Sequence, residues 1–164
     1  MTNDAANVEL IERFYRAFDQ GDGDQMAACY APGVRFSDPV FPDLQGDRAG
    51  AMWKMLASAP GSDLRVELLE HDAAADRGNA HWRAHYTFSE SGRPVVNDIR
   101  AKFRFRDGLI VEHKDEFSFH RWARQALGPV GLILGWTPIV RSAVRRKAAA
   151  KLAQFAAPGG PGTA

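Results

Sequence analysis

The order of hydrophobic patterns along this 164-residue chain predicts an α+β domain. Helical stripes come first, alternating strands joined by tight turns follow, and a second helical stretch closes the sequence. Leu10, Phe14 and Phe18 recur at helical spacing, with Ile11 and Ala17 alongside, so a helix is expected from about Asp4 to Gln20, stopped by Gly21-Asp22-Gly23. Asp22 or Asp24 is placed to cap a short second helix carrying Met26, Ala27, Cys29 and Tyr30, and Pro32-Gly33 ends it. Val34 to Asp38 alternates as a short strand before Pro39, and Pro39 to Gly46 reads as a loop. A third helix is expected from Asp47 to Ala59, with Met52, Met55 and Leu56 inward.

The middle of the chain reads as antiparallel sheet. Leu64 to His71 alternates apolar and charged residues, and Ala80 to Ser89 is rich in aromatic and strand-favouring residues ahead of a Ser91-Gly92 turn. Val95 to Arg106 sets Asn97, Ile99, Ala101, Phe103 and Phe105 on one face, against Asp98, Arg100, Lys102, Arg104 and Arg106 on the other. Asp107-Gly108 turns the chain into a last strand whose Val111, His113, Asp115 and Phe117 share a side. From Arg121 the pattern is helical again, with an apolar middle broken by glycine and proline and a basic end from Arg141 to Phe155.

Net charge is +1, but its distribution is uneven. No acidic residue follows Glu116 while seven Arg and Lys do, so residues 117–164 carry +7 against −6 for 1–116. Such asymmetry reads first as a solvated basic helix face docked on an acidic body, and second as a surface for an anionic partner. Cys29 is the single cysteine, which excludes an internal disulfide and a cysteine-based metal site. Residues Met1 to Asn7 lack the basic and apolar regions of a secretory signal, and the apolar run Ala126–Val140 is too short and interrupted to span a bilayer. A cytoplasmic protein is the expectation. With no Gly-rich phosphate loop, no nucleophile elbow and no metal-ligand spacing, neither a cofactor nor a metal is expected, and nucleic acid is not an expected partner.

Asp115 is the leading candidate for chemistry. A carboxyl on the apolar face of a strand must be paired, hydrogen-bonded or held neutral, and an apolar wall that lifts its pKa equips it to move protons near neutral pH. His113 is its neighbour on the same face. Asp38, at a strand end before proline, is either a second acid/base group or a turn starter. Arg83 and His85 join the site only if the polar face of the strand over 80–89 points inward, a choice the alternation leaves open.

These patterns resemble the NTF2-like superfamily, most closely its SnoaL-like and ketosteroid-isomerase-like branch, over about Val8 to Phe119. The resemblance is carried by Phe14-Tyr15-Arg16-Ala17-Phe18 with Gly21-Asp22, by Tyr30-Ala31-Pro32, by Phe36-Ser37-Asp38-Pro39, by Phe103-Arg104-Phe105 and by Gly108 through Asp115. It implies a cone in which three N-terminal helices pack on a curved antiparallel sheet enclosing a pocket, and a homodimer through the outer face of the sheet. It implies an NTF2-like domain over 1–120; the helical extension over 121–157 and the flexible tail over 158–164 are read from the residues and lie outside the family pattern.

By position, Asp38 matches the general base of ketosteroid isomerases, but Phe14 and Ala101 stand where those enzymes keep their two hydrogen-bond donors. Asp115 and Arg83 match two members of the epoxide-hydrolase set, with His85 in place of the third, an acid. Asp115 also matches the acid/base of SnoaL-like cyclases, with His113 or His85 as partner. The expected function is cofactor-independent acid/base chemistry on an apolar small molecule, walled by Phe14, Tyr15, Phe18, Trp53, Asn97, Ala101 and Phe103. The alternative is a non-catalytic hydrophobic-ligand or partner-binding module. For the C-terminal extension a lid over the pocket or a neighbouring subunit is favoured over contact with an anionic membrane surface.

Overall fold

The stripe Leu10, Phe14 and Phe18 becomes the buried side of α1 (Asn3–Asp19) in the computed structural model, which describes residues 3–161. Asp22 caps α2 (Gly23–Ala28) by accepting from the Gln25 backbone N–H at 3.0 Å. The chain then enters β1 (Tyr30–Ser37), crosses a loop holding the short β2 (Leu44–Gln45), and forms α3 (Asp47–Ala57), which buries Met52 and Trp53. Four long hairpin-connected strand segments make up most of the sheet: β3 (Arg65–Ala74), β4 (Arg77–Phe88), β5 (Arg93–Arg106) and β6 (Leu109–Glu116). Between β5 and β6, Asp107 and Gly108 both adopt positive φ (52° and 75°), the pairing a tight hairpin turn requires.

Strand order is β2-β1-β6-β5-β4-β3, and here the expected architecture is corrected. The sheet is mixed rather than antiparallel, because β1 lies beside β6 in the same direction, with Phe36 opposite His113. It is also open rather than a cone closed around a pocket. β2 and β3 are its two edges, and the space over its inner face is filled by rings from α1 and α3. Phe14, Phe18, Phe36, Trp53, Trp82 and Phe103 are all buried there. Burial of each such side chain stabilises the fold by about 1.5–3 kcal/mol, so the interior favours packed rings over an empty cone.

Burial on β4 settles which of its faces points inward. Gly78, Ala80, Trp82 and Ala84 are buried, while His81, Arg83 and His85 lie on the opposite face. The C-terminal residues form α4 (Phe119–Leu127), α5 (Pro129–Leu134) and α6 (Pro138–Ala156), with Ser118 capping α4 and Thr137 capping α6. Helix α4 begins two residues before the expected boundary and buries Phe119, Trp122, Ala123 and Ala126 against Val95 of β5. Helix α6 packs on α3, with Leu152 in the main core. The tail expected over 158–164 lies partly outside the described residues.

Candidate functional site

Four side chains form a continuous hydrogen-bonded file through the interior. The Trp53 indole N–H donates to the Tyr30 hydroxyl at 2.6 Å, Tyr30 Oη meets His113 Nδ1 at 2.7 Å, and His113 Nε2 meets Asp115 Oδ1 at 2.9 Å. Because Trp53 can only donate, it occupies a lone pair of Tyr30 and directs the tyrosine proton onto His113 Nδ1. His113 Nε2 then carries the hydrogen and donates to Asp115. This tautomer leaves every donor in the file paired.

Packing holds the file in place. His113 is wholly buried, its ring stacked on Trp53 (centroids 5.8 Å apart, planes 11° apart), met edge-on by Phe36 and Phe14, and 4.4 Å from Phe103. Asp115 sits opposite Ala101 on β5 and is 3% exposed. Burial, then the Asp115 charge, pushes the Tyr15 and Tyr30 hydroxyls far above the usual phenol range.

Two buried donors face this interior without a partner among the described residues: Tyr15 Oη and Trp82 Nε1. Their rings touch, with centroids 5.3 Å apart. An unpaired buried donor costs about 1–3 kcal/mol, so each of the two would be stabilised by an acceptor.

Asp38 lies just beyond the end of β1, half-buried, where Oδ1 accepts from the backbone N–H groups of Val40 and Phe41. It is therefore both the turn starter and an ionisable group on the inner side. Burial raises its pKa to about 7 against the opposing pull of those amides, and the Asp115 charge adds to the rise. Tyr86, pushed up to about 12 chiefly by burial, feels the charge of Asp38 and accepts from the Trp122 indole N–H at 2.7 Å. From α6, Arg145 donates through Nε to the Pro39 carbonyl at 2.9 Å. The extension thus covers the Asp38 end of the sheet. A groove of about 300 Å³ opens beside this turn, walled in part by Val40, Phe41, Arg48, Arg145 and Leu152.

Of the residues singled out in the sequence, Asp115, His113, Phe14, Trp53, Ala101 and Phe103 come together, with Tyr15 and Phe18 against the same rings. Asn97 is half-buried on the inner face of β5. Arg83 and His85 are not part of this group. They lie on the outer face, Arg83 on Asp98 (3.0 Å) and His85 on Glu67 (3.0 Å). Tyr30, Trp82, Tyr86, Trp122 and Arg145 escaped sequence reasoning as site residues. For Tyr30 the only signal was its place in the Tyr-Ala-Pro motif, because its contact with His113 depends on the parallel β1–β6 pairing. Among the described residues no group of three or more His, Cys, Asp or Glu is arranged to hold a metal ion.

Helices packed on one face of a mixed sheet, with a polar file through an aromatic interior, define an NTF2-like protein. The chain belongs to the family of the SnoaL-like domain, whose model matches residues 11–113. Among solved structures it is similar to a protein of Xanthomonas campestris pv. campestris with a provisional polyketide-cyclase name (26% identity, TM-score 0.63, covering 76% of this chain and 99% of that one). It is similar in fold to an LEH-like epoxide hydrolase of M. tuberculosis (16% identity, TM-score 0.66, covering 81% and 98%). A third likeness is an NTF2-like protein of Mesorhizobium loti (22% identity, TM-score 0.60, covering 72% and 95%). No curated protein matches the sequence.

Proposed function

We propose that this protein catalyses cofactor-independent proton transfer on an apolar small molecule bearing a carbonyl or comparable oxygen. The observation that carries the proposal is Asp38, a half-buried carboxyl with a pKa of about 7, placed within reach of the charge of a second, buried carboxyl, Asp115. A base with that pKa is half ionised at neutral pH, the poise general acid/base catalysis uses. In this reading Asp38 removes a proton from the carbon beside the substrate carbonyl. Entry of the substrate requires the packed rings to part, and the Tyr15 O–H and Trp82 N–H then donate to the oxygen that gains charge, supplying the donors that Phe14 and Ala101 cannot. Asp38, now protonated, returns the proton at the far carbon or oxygen, while the Asp115 carboxylate, oriented by the His113–Tyr30–Trp53 file, sustains the basicity of Asp38 by its charge. Cyclase-type, isomerase-type and hydrolase-type outcomes share this chemistry, and the name of the Xanthomonas relative favours the first.

The test is solvent-deuterium incorporation into a panel of apolar polyketones and enones, with epoxides assayed for opening. The rate is expected to climb with pH through about 7, as Asp38 ionises. Asp38→Asn should lower it by at least ~100-fold, and Asp115→Asn by less, while ligand retention is kept. Full exchange by both variants would refute the assignment.

A second reading has its own support: all polar atoms of His113 are paired internally and its cage is closed by rings. That favours a non-catalytic binder of hydrophobic ligands. It predicts that a retained ligand is recovered chemically unchanged by the unmodified protein.

A further inference from the structure

Helix α5 wears its side chains inside out. On the side that meets α4, a Cβ added at Gly131 would lie 1.9 Å from the Ala123 carbonyl oxygen, so only glycine permits the approach. Gly135 is similarly confined, against the Gly131 carbonyl. With glycine filling the inner side, the large residues Val130, Leu132, Ile133, Leu134, Trp136 and Ile139 are left facing water, from 46% to 80% exposed. Scattered apolar residues on a surface need no explanation, but six within ten positions form a contact surface.

The rim of this patch is basic. Arg121 and Arg124 on α4 are exposed beside it, since His120 meets the Leu132 carbonyl and Gly131 abuts the Arg124 backbone. Arg141 stands one turn past Pro138, its guanidinium 5.1 Å from the centre of the Phe119 ring. No acidic residue follows Glu116 to neutralise them. A second copy docked by a two-fold axis would set this rim against itself, like charge on like. An anionic layer with an apolar interior complements both parts at once. Indole rings settle at the water–lipid boundary, and arginine stems lie along apolar surface while their heads reach phosphate. None of the described helices is long and apolar enough to cross a membrane, so the contact is with a surface.

We propose that the corner formed by α5 and the start of α6 docks this protein on an anionic lipid bilayer, with Ile133, Trp136 and Ile139 entering the headgroup boundary and Arg121, Arg124 and Arg141 on the lipid phosphates. The proposal is independent of the interior chemistry.

The experiment is co-sedimentation of the full chain with vesicles of phosphatidylcholine alone and of phosphatidylcholine with phosphatidylserine, read together with tryptophan emission. Trp53, Trp82 and Trp122 are buried, so Trp136 at 71% exposure dominates any shift. Pelleting with the anionic vesicles, a blue shift and quenching by brominated acyl chains are expected, and high salt should weaken all three. Ile133→Ser with Trp136→Ser changes only exposed side chains and should lower pelleting at least ~10-fold with the circular-dichroism spectrum unchanged. Absence of pelleting on anionic vesicles, equal pelleting by the double variant, or a patch-dependent dimer without lipid binding would each overturn the proposal.

Discussion

On the inner face of the sheet His113 meets Asp115 at 2.9 Å; on the outer face His81 meets Asp98 at 2.7 Å and His85 meets Glu67 at 3.0 Å. The pairs use the same two chemical groups at nearly the same distance. What differs is the surroundings. The inner pair is almost fully buried under five aromatic rings, whereas Glu67 is half-exposed and Asp98 is shared with Arg83 beside solvent. In water an ion pair gains little over its hydrated partners, while in a ring-lined interior each polar atom must be satisfied locally. The inner pair is tied into a buried file of further donors, whereas Arg83 joins Asp98 beside solvent, and it is removal of the inner pair that is expected to disturb the fold.

The largest expected effect follows. His113→Ala empties a ring-sized space among Phe14, Phe36, Trp53 and Phe103 and strands both the Tyr30 hydroxyl and the Asp115 carboxyl. Cavity formation and loss of buried partners together should cost about 4 kcal/mol, read as a lowered midpoint in urea unfolding. A loss no greater than that of an outer-face variant would mean the file contributes nothing to stability.

The two faces were unequally legible in the sequence. Alternation placed Ala101 and Phe103 on one side of β5 and His113 and Asp115 on one side of β6, because period two is a property of the backbone, but a bulge at Val111 buries Ile110 where Val111 was expected inward. The same rule could not orient β4, where His81, Arg83 and His85 alternate with residues as bulky as Trp82 and Tyr86. Burial of Ala80, Trp82 and Ala84 decides that case, through packing against α1 that no local pattern encodes. Tyr30 was hidden for a related reason. Its partner His113 lies 83 positions away across a parallel pairing, and parallel neighbours leave no turn signature between them. The close approach of Gly131 to α4 carries no signature in the sequence, which offered an exposed apolar surface on this stretch only as the less favoured reading.

A middle-sized effect is expected at Asp38, which belongs to neither extreme. Its folded pKa, about 7, lies above the ordinary carboxyl value of 3.8. The folded protein therefore holds a proton that the unfolded chain has released between those pH values. Stability from this group is complete below about pH 4 and is lost as pH rises through about 7. Solvent on one side of the carboxyl reduces the effect to about 1–2 kcal/mol. Asp38→Asn keeps the acceptor that holds the Val40 and Phe41 amides while removing the titration. Its unfolding midpoint should exceed that of the unmodified protein above pH 7 and converge with it in acid. Parallel pH profiles for the two proteins would place Asp38 in ordinary solvent.

The smallest effect tests the outer face directly. Burial does not enforce the His85–Glu67 contact, for Glu67 is 49% exposed and its carboxyl is drawn below the usual range chiefly by the hydrogen bond from His85. Water replaces that hydrogen bond when the imidazole is removed, and β4 keeps its backbone pairing with β3 through Arg65 opposite His85. His85→Ala is thus expected to leave the urea midpoint and the deuterium-exchange rate unchanged within error. The corresponding inner-face change, His113→Ala, is expected to move the midpoint strongly. Loss of exchange activity in His85→Ala with the midpoint intact would draw the outer face into the chemistry. Histidine–carboxylate pairs on both faces of the sheet would then be functional.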